Sequence, residues 1–391
     1  MGRTKLFITK KIGPMDFPLM ITTLLLVLIG IVAVFSASFY SSISESGSPY
    51  GFAIKQVVFA AMGLFCLILS TKMNYHVWRT FAIPILGASF FLLLIVIAGA
   101  GTTVNGATRW IRILGFSLMP GEISKFSMII ATAAYISANP NRINTVKGLF
   151  PIIFFLGAAC LLIMKQPSLS VAATLAVIVM CMLVVAGLKR IYLMSGGALF
   201  VLALIFAIIG DRDGYRFTRV TSFLHPFKDA SGDSFQVVQS LMALGSGGIF
   251  GVGIGKSVQK TMYLPEPHND FIMAIIGEEV GFVGIFIIMA LYVLFIWRGV
   301  IIAINAPDLF GTLLATGIVS MVAAQVIFNI GVVTSSLPAT GVALPFVSYG
   351  GNALIIFMTC SGILMNISKK RTIQRNYTVE KYVMYLSLIH I

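Results

Sequence analysis

The 391-residue chain has 13 acidic residues, and eight of them lie between Asp211 and Glu279. Three of the eight, Asp270, Glu278 and Glu279, sit in PEPHNDFIMAIIGEEVGFVG (Pro265 to Gly284), where a polar loop runs into an apolar segment. An ionised side chain at membrane depth costs roughly 2.5 to 3.5 kcal/mol on insertion scales, so carboxylates placed there mark a candidate site. If 270–284 is one helix, Glu278 lies about 80° around and about 12 Å along from Asp270, and Glu279 points to nearly the opposite face. The three acids therefore do not share one centre. Asp270, at the surface where a polar substrate arrives, is the expected reactive group, while Glu278 and Glu279 are expected to pack helices or shape a cavity. Gly277 and Gly281 have GxxxG spacing and are expected to allow close helix packing.

Cationic residues suited to a phosphate lie elsewhere in the chain. Arg109 and Arg112 fall in NGATRWIRILG, and Arg212, Arg216 and Arg219 follow another apolar stretch. A guanidinium is planar and donates in pairs, which suits phosphate and pyrophosphate oxygens. Glu122 and Lys125 in MPGEISK are three residues apart, so they can pair on one helical face and lower each other's burial cost. His268, two residues before Asp270, reads as a solvated hydrogen-bonding group and a candidate substrate contact; no HExxH pattern makes it a zinc ligand. Gly255, Lys256 and Ser257 look like the end of a phosphate-binding loop, but Phe250 stands where its first glycine belongs and no strand precedes it. No nucleotide site is expected. Cys66, Cys160, Cys181 and Cys360 lie in apolar runs and read as small buried hydrophobes, with neither metal nor disulfide spacing.

A membrane domain must position these residues. A chain that is 58% hydrophobic, 10% charged and +0.98 in mean hydropathy cannot build the water-facing surface of a soluble globule. Apolar stretches long enough to cross about 30 Å of hydrocarbon recur about ten times. They cover 17–39, 52–71, 77–98, 120–138, 148–164, 167–187, 191–210, 270–297, 309–333 and 350–368. The first lacks a small-residue cleavage site and reads as a retained helix. Ten crossings put both termini on one side, together with Lys5, Lys10, Lys72, Arg142, Lys147, Lys189, Arg298 and the run Lys369, Lys370, Arg371. The short opposite loops hold Lys55, Arg109, Arg112 and Lys165, so the positive-inside rule makes the termini cytoplasmic. The net charge of +14 thus reads as topology, with no nucleic-acid partner.

The predicted layout is an all-α polytopic membrane protein. A cytoplasmic segment spans 1–16, a ten-helix membrane domain 17–368 with a large extracytoplasmic loop at 211–268, and a basic cytoplasmic tail 369–391. The stretches GSGGIFGVGIG (Gly245 to Gly255) and LPATGVALPFVSYGG (Leu337 to Gly351) predict re-entrant or broken helices, tolerated only where buried in protein or lining a cavity. The last six residues, LSLIHI, look like a translated sequencing adapter and carry no functional weight.

Four blocks, NGATRWIRILGFSLMPGEISK, FQVVQSLMALGSGGIFGVGIGKS, YLPEPHNDFIMAIIGEEVGF and LPATGVALPFVSYGGNALI, in this order, resemble the SEDS family (shape, elongation, division and sporulation) over residues 17 to 370. LPFVSYGG and the closing GILMNISKK are more similar to its FtsW and SpoVE branch than to RodA. The resemblance implies an inverting peptidoglycan glycosyltransferase that polymerises lipid II, a disaccharide-peptide on undecaprenyl diphosphate, at the outer face of the bacterial plasma membrane. It implies a class B penicillin-binding protein transpeptidase and the divisome or related cell-wall machinery as partners. The family's catalytic aspartate falls on Asp270, its loop arginine on Arg109, and its acid and lysine pair on Glu122 and Lys125. The chain departs from the family pattern with Asn269 for threonine, Met119 and Gly121 for glutamine and serine, Ser168 for an aspartate after Pro167, and Asn352 for serine.

On this reading Asp270 is the general base, and Arg109 and Lys125, with Arg216 or Arg219, stabilise charge on the leaving pyrophosphate. A divalent cation is the one cofactor in view, although the sequence holds no complete ligand set for it. The competing reading is a lipid-linked precursor flippase or transporter, in which intramembrane charges and broken helices line a path. A third is a non-catalytic scaffold whose basic stretch from Lys369 to Lys381 binds anionic lipid or a partner.

Overall fold

The computed structural model describes residues 14–389 apart from 105–106, 114–115, 167, 211–222, 224–225, 230–231, 233 and 340. Helix α1 (Phe17–Ser46) begins behind Asp16, whose carboxylate accepts the Leu19 N–H at 3.2 Å, with a proline in its first turn. It is followed by α2 (Gly51–Lys72), α3 (His76–Thr80) and α4 (Ala82–Ile95). Three short strands come next, β1 (Thr102–Val104), β2 (Ala107–Ile113) and β3 (Phe116–Leu118), in one antiparallel sheet of order β1-β2-β3. Thr102 stands opposite Trp110, and Arg112 opposite Ser117. The chain continues through α5 (Pro120–Ala138), α6 (Val146–Lys165), α7 (Leu169–Val185), α8 (Arg190–Ile209), α9 (Phe235–Gly247), α10 (Ile272–Ile304), α11 (Leu309–Val333) and α12 (Gly351–Ile389).

Among the described residues the regular structure is helical, as expected, apart from this one small sheet between α4 and α5. The segment TRWIRI is β-branched and aromatic, and such residues fit a pleated surface. The 211–268 segment contains α9, and α12 continues as helix to Ile389. Among the described residues seven helices are long and apolar enough to cross a membrane, and Leu169–Val185 and Arg190–Leu202 are shorter apolar helices. Helix α5 carries Glu122 and Lys125 and falls outside both groups.

Helix α11 is central, packed against α5, α7 and α10, while α12 lies along α2 and α1 lies against α2 and α10. Large apolar side chains such as Ile83, Phe150, Phe206 and Phe286 point outward, as a lipid-facing surface requires. One end of the bundle is tied by polar contacts. Asp16 accepts from Arg298 at 2.6 and 3.0 Å, the Asn366 side chain accepts from the Tyr75 N–H at 3.0 Å and donates to the Thr71 carbonyl at 2.9 Å, and His76 lies 2.5 Å from Asp308.

Helix α10 is broken at Gly281, where φ is 72° and ψ is −168°. A neighbouring segment takes over the hydrogen bonds the break releases. Val252 and Gly253 N–H donate to the carbonyls of Glu278 and Glu279 at 2.9 and 3.0 Å, and Phe282 and Val283 N–H donate to those of Gly248 and Ile249 at 3.0 and 3.1 Å. These four bonds satisfy backbone groups inside the protein, which is the condition for non-helical chain at membrane depth. The GxxxG expectation is therefore half right. Gly277 is closely packed, against Leu244 and the backbone of Gly247, whereas Gly281 takes the left-handed φ and lets the Gly251 backbone approach where a Cβ would stand.

Candidate functional site

Asp270 lies two residues ahead of α10, so placing it on that helix's wheel does not hold. The loop that delivers it is pinned from below. Glu278 accepts the Val258 N–H at 2.9 Å, the Gln259 N–H at 3.3 Å and the Ser257 hydroxyl. Glu279 pairs with the Lys260 ammonium at 2.7 Å and accepts the hydroxyl of Ser36 from α1 at 2.6 Å, and Lys260 is itself buried. Two adjacent acids, about 100° apart around the helix, thus fix four consecutive loop residues, a structural role of the kind expected for them. Lys260 and Ser36 were missed by sequence reasoning. The available signal was that a buried carboxylate requires a cation or a donor; with Ser36 243 residues away from Glu279, local pattern could not say which.

A second loop, 334–350, closes over the first. The Tyr349 N–H donates to the His268 carbonyl at 2.9 Å, and the Ser348 hydroxyl donates to the Asn269 carbonyl at 2.7 Å. Asn329, from α11, donates through Nδ2 to the backbone carbonyls of Asp270 at 2.7 Å and Val342 at 2.8 Å. Glu266 and Phe346 hold left-handed φ values of 51° and 67°. Such strain persists only where the surroundings over-determine it, and it gathers at functional sites.

His268 is not solvated. It is buried between Phe52 and Tyr349, with ring centroids 4.5 and 5.5 Å away, and its Nδ1 has no partner among the described residues. Burial pulls its pKa down to about 4, so the ring is neutral near pH 7. It supports the loop by packing; it offers no open face to a substrate. Asn269, one of the departures from the family pattern, donates its side-chain amide to Glu266 at 2.7 Å.

Arg109 comes from β2. Its Nε donates to the Gln166 carbonyl at 3.1 Å, and the Gln166 side chain in turn donates to the Leu93 carbonyl at 3.1 Å. Gly341, with φ at 69°, brings Arg109 and Asp270 together: a Cβ there would lie 3.2 Å from Asp270 Oδ2 and 3.6 Å from Arg109 Nη1. A carboxylate from the loop ahead of α10 and a guanidinium from β2 thus approach one point. That arrangement can receive a proton on one side and hold a developing negative charge on the other.

Glu122 and Lys125 form the expected pair at 2.6 Å in the first turn of α5, with Lys125 1% exposed and Glu122 Oε2 lacking a partner among the described residues. Asn352 donates to the Met119 carbonyl at 3.1 Å and ties α12 to the start of α5. Ser168 is buried ahead of α7, and its hydroxyl has no partner among the described residues. Arg212, Arg216 and Arg219 lie outside the described residues. No three His, Cys, Asp or Glu side chains group as a metal site among the described residues.

Stage V sporulation protein E of Bacillus subtilis (strain 168) is 40% identical over 363 residues, spanning 92% of this chain and 98% of that protein. The "Probable peptidoglycan glycosyltransferase FtsW" of Geobacter sp. (strain M18) is 35% identical over 363 residues, spanning 92% and 98%. Among solved structures, a chain from "Structural coordination of polymerization and crosslinking by a peptidoglycan synthase complex" superposes with a TM-score of 0.75 at 25% identity, over 91% of this chain and 98% of that one. The Thermus thermophilus rod shape determining protein RodA superposes at 0.66 with 26% identity, over 91% and 97%. The family model FTSW_RODA_SPOVE, described as cell cycle protein, matches residues 17–373, and the chain belongs to that family.

Proposed function

We propose that this chain is a peptidoglycan glycosyltransferase that polymerises lipid II at the outer face of the plasma membrane, with Asp270 as general base. One observation carries the reading: Asp270 Oδ2 and Arg109 Nη1 lie 3.2 and 3.6 Å from the position that a Cβ at Gly341 would take. Asp270 accepts the proton of the acceptor sugar hydroxyl as that oxygen bonds to the donor's anomeric carbon. The anomeric carbon's bond to the diphosphate breaks with inversion, and the electron pair leaves on the lipid diphosphate. Arg109 takes up that charge. Lys125 acts at one remove, because its ammonium is held by Glu122. Arg216 and Arg219 are proposed as further diphosphate contacts.

The sidedness proposed is ten crossings with cytoplasmic termini. It is supported by the polar ties that gather Asp16, Arg298, Asp308 and Asn366 at one end, while Asp270 and Arg109 lie in loops joining the opposite helix ends. Both substrates carry long polyprenyl tails and reach Asp270 laterally from the bilayer. A class B penicillin-binding protein is the proposed partner, in keeping with the synthase complex to which this chain is similar.

The test is Asp270→Ala, purified with its partner transpeptidase and supplied with lipid II. Loss of a general base is expected to lower the polymerisation rate about 100-fold or more, and undiminished polymer would remove Asp270 from the mechanism. The break at Gly281 favours a second reading, since discontinuous helices line transport paths. Movement of lipid II across proteoliposomes with no polymer formed would establish a flippase instead.

A further inference from the structure

Resting on the assignment of Asp270 as base, we propose that Asn329 is a positioning residue that holds the Asp270 backbone in register with the Gly341–Val342 segment. Its Nδ2 carries two hydrogens, and both are used: one for the Asp270 carbonyl at 2.7 Å and one for the Val342 carbonyl at 2.8 Å. Carbonyl oxygens only accept, so these two partners fix which end of the amide faces them. The bonds from Tyr349 and Ser348 grip residues 268 and 269. The bond from Asn329 grips residue 270 itself, and its second bond grips the neighbour of Gly341, the residue that Asp270 Oδ2 and Arg109 Nη1 both approach. Of these three side-chain and backbone ties between the two loops, Asn329 is thus the one that joins Asp270 itself to the neighbour of Gly341.

Asn329 also carries a cost that a packing residue would avoid. It is 1% exposed, and its Oδ1 has no partner among the described residues. A leucine of similar volume at this point of α11 would carry no side-chain carbonyl of its own, but it would take the Asn329 donor from the Asp270 and Val342 carbonyls. What the amide supplies against that penalty is a bridge between two backbone carbonyls, which no apolar side chain can make.

The test compares wild type, Asn329→Ser and Asn329→Asp, each purified as the full chain with its partner transpeptidase and assayed with lipid II. Serine is too short to span both carbonyls. Aspartate keeps the shape but turns an acceptor toward two acceptors. Mispositioning of a catalytic group by a fraction of an ångström predicts kcat falling about 10- to 100-fold in both variants, with the KM for lipid II changed less than about twofold. The melting temperature and recovery of the complex should stay near those of wild type. Wild-type kcat in both variants, kcat and KM worsening together, or failure of both to yield folded protein would each overturn the proposal; the last would assign Asn329 to folding alone. Asp270→Ala, run alongside, separates the two ideas: an active Asp270→Ala protein removes the base assignment, whereas an inactive one beside fully active Asn329 variants removes only the positioning role.

Discussion

Gly341→Ala is the substitution most directed at the proposed reacting space. The added methyl would stand 3.2 Å from Asp270 Oδ2 and 3.6 Å from Arg109 Nη1, and the backbone would keep a φ of 69°. The first distance is shorter than the 3.4–4 Å of ordinary van der Waals contact, so the carboxylate must retreat by a few tenths of an ångström. An alanine in the left-handed region costs about 1 to 2 kcal/mol, a bearable loss of stability. The larger effect is on approach, since an attacking hydroxyl must come within about 3 to 3.5 Å of its partners and the methyl takes that volume. The expected outcome is a rate of glycan synthesis from lipid II about 100-fold lower, equivalent to about 2.7 kcal/mol of barrier. The assay is initial polymer formation by the chain purified with its partner transpeptidase. Gly87→Ala serves as control, because a Cβ at Gly87 meets nothing within 4 Å, and its rate should match wild type. A folded Gly341→Ala protein working within about twofold of wild type would refute the reasoning, because no steric loss of the size worked out above would then exist.

Two other changes test the supports of the site. Lys260→Met strands the buried Glu279 carboxylate and should cost about 3 to 5 kcal/mol, seen as a lowered melting temperature, with Lys260→Met combined with Glu279→Gln recovering much of the loss; additive losses would contradict this. His268 has a folded pKa of about 4, below its ordinary 6.5, so the stability it contributes is fully present above about pH 6.5 and is lost as pH falls through 4. The full amount is about 3 kcal/mol. His268→Phe should therefore show a shallower fall in melting temperature between pH 7 and pH 4 than wild type, and an identical fall would sink the assignment.

Several features could be read from the residues alone because they depend on one segment at a time. The apolar runs, the pairing of Glu122 with Lys125 three positions on, and the place of Asp270 where a polar loop meets an apolar helix are all local statements. His268 was misjudged because its burial comes from Phe52 and Tyr349, which belong to other parts of the chain. The break at Gly281 was hidden for a related reason. GxxxG spacing is shared by tightly packed helices and by a helix whose missing bonds are supplied by another segment, and only the position of residues 248–253 decides between them. Asn329 left no trace in pattern, since a lone asparagine in a run such as QVIFNIGVV reads as a tolerated polar residue until both of its carbonyl partners are located.

The repair of α10 by residues 248–253 has a consequence for biogenesis. That segment leaves the ribosome before its mates, carrying four backbone groups whose partners, residues 278–283, have yet to be made. Hydrocarbon would penalise each of the four by several kcal/mol. The early segment therefore has to linger at the water-facing rim of the bilayer and move inward with the nascent α10 as a matched pair. Nicking or lengthening the chain between residues 253 and 278 should accordingly harm delivery to the membrane more than an equal change in the connection between α5 and α6.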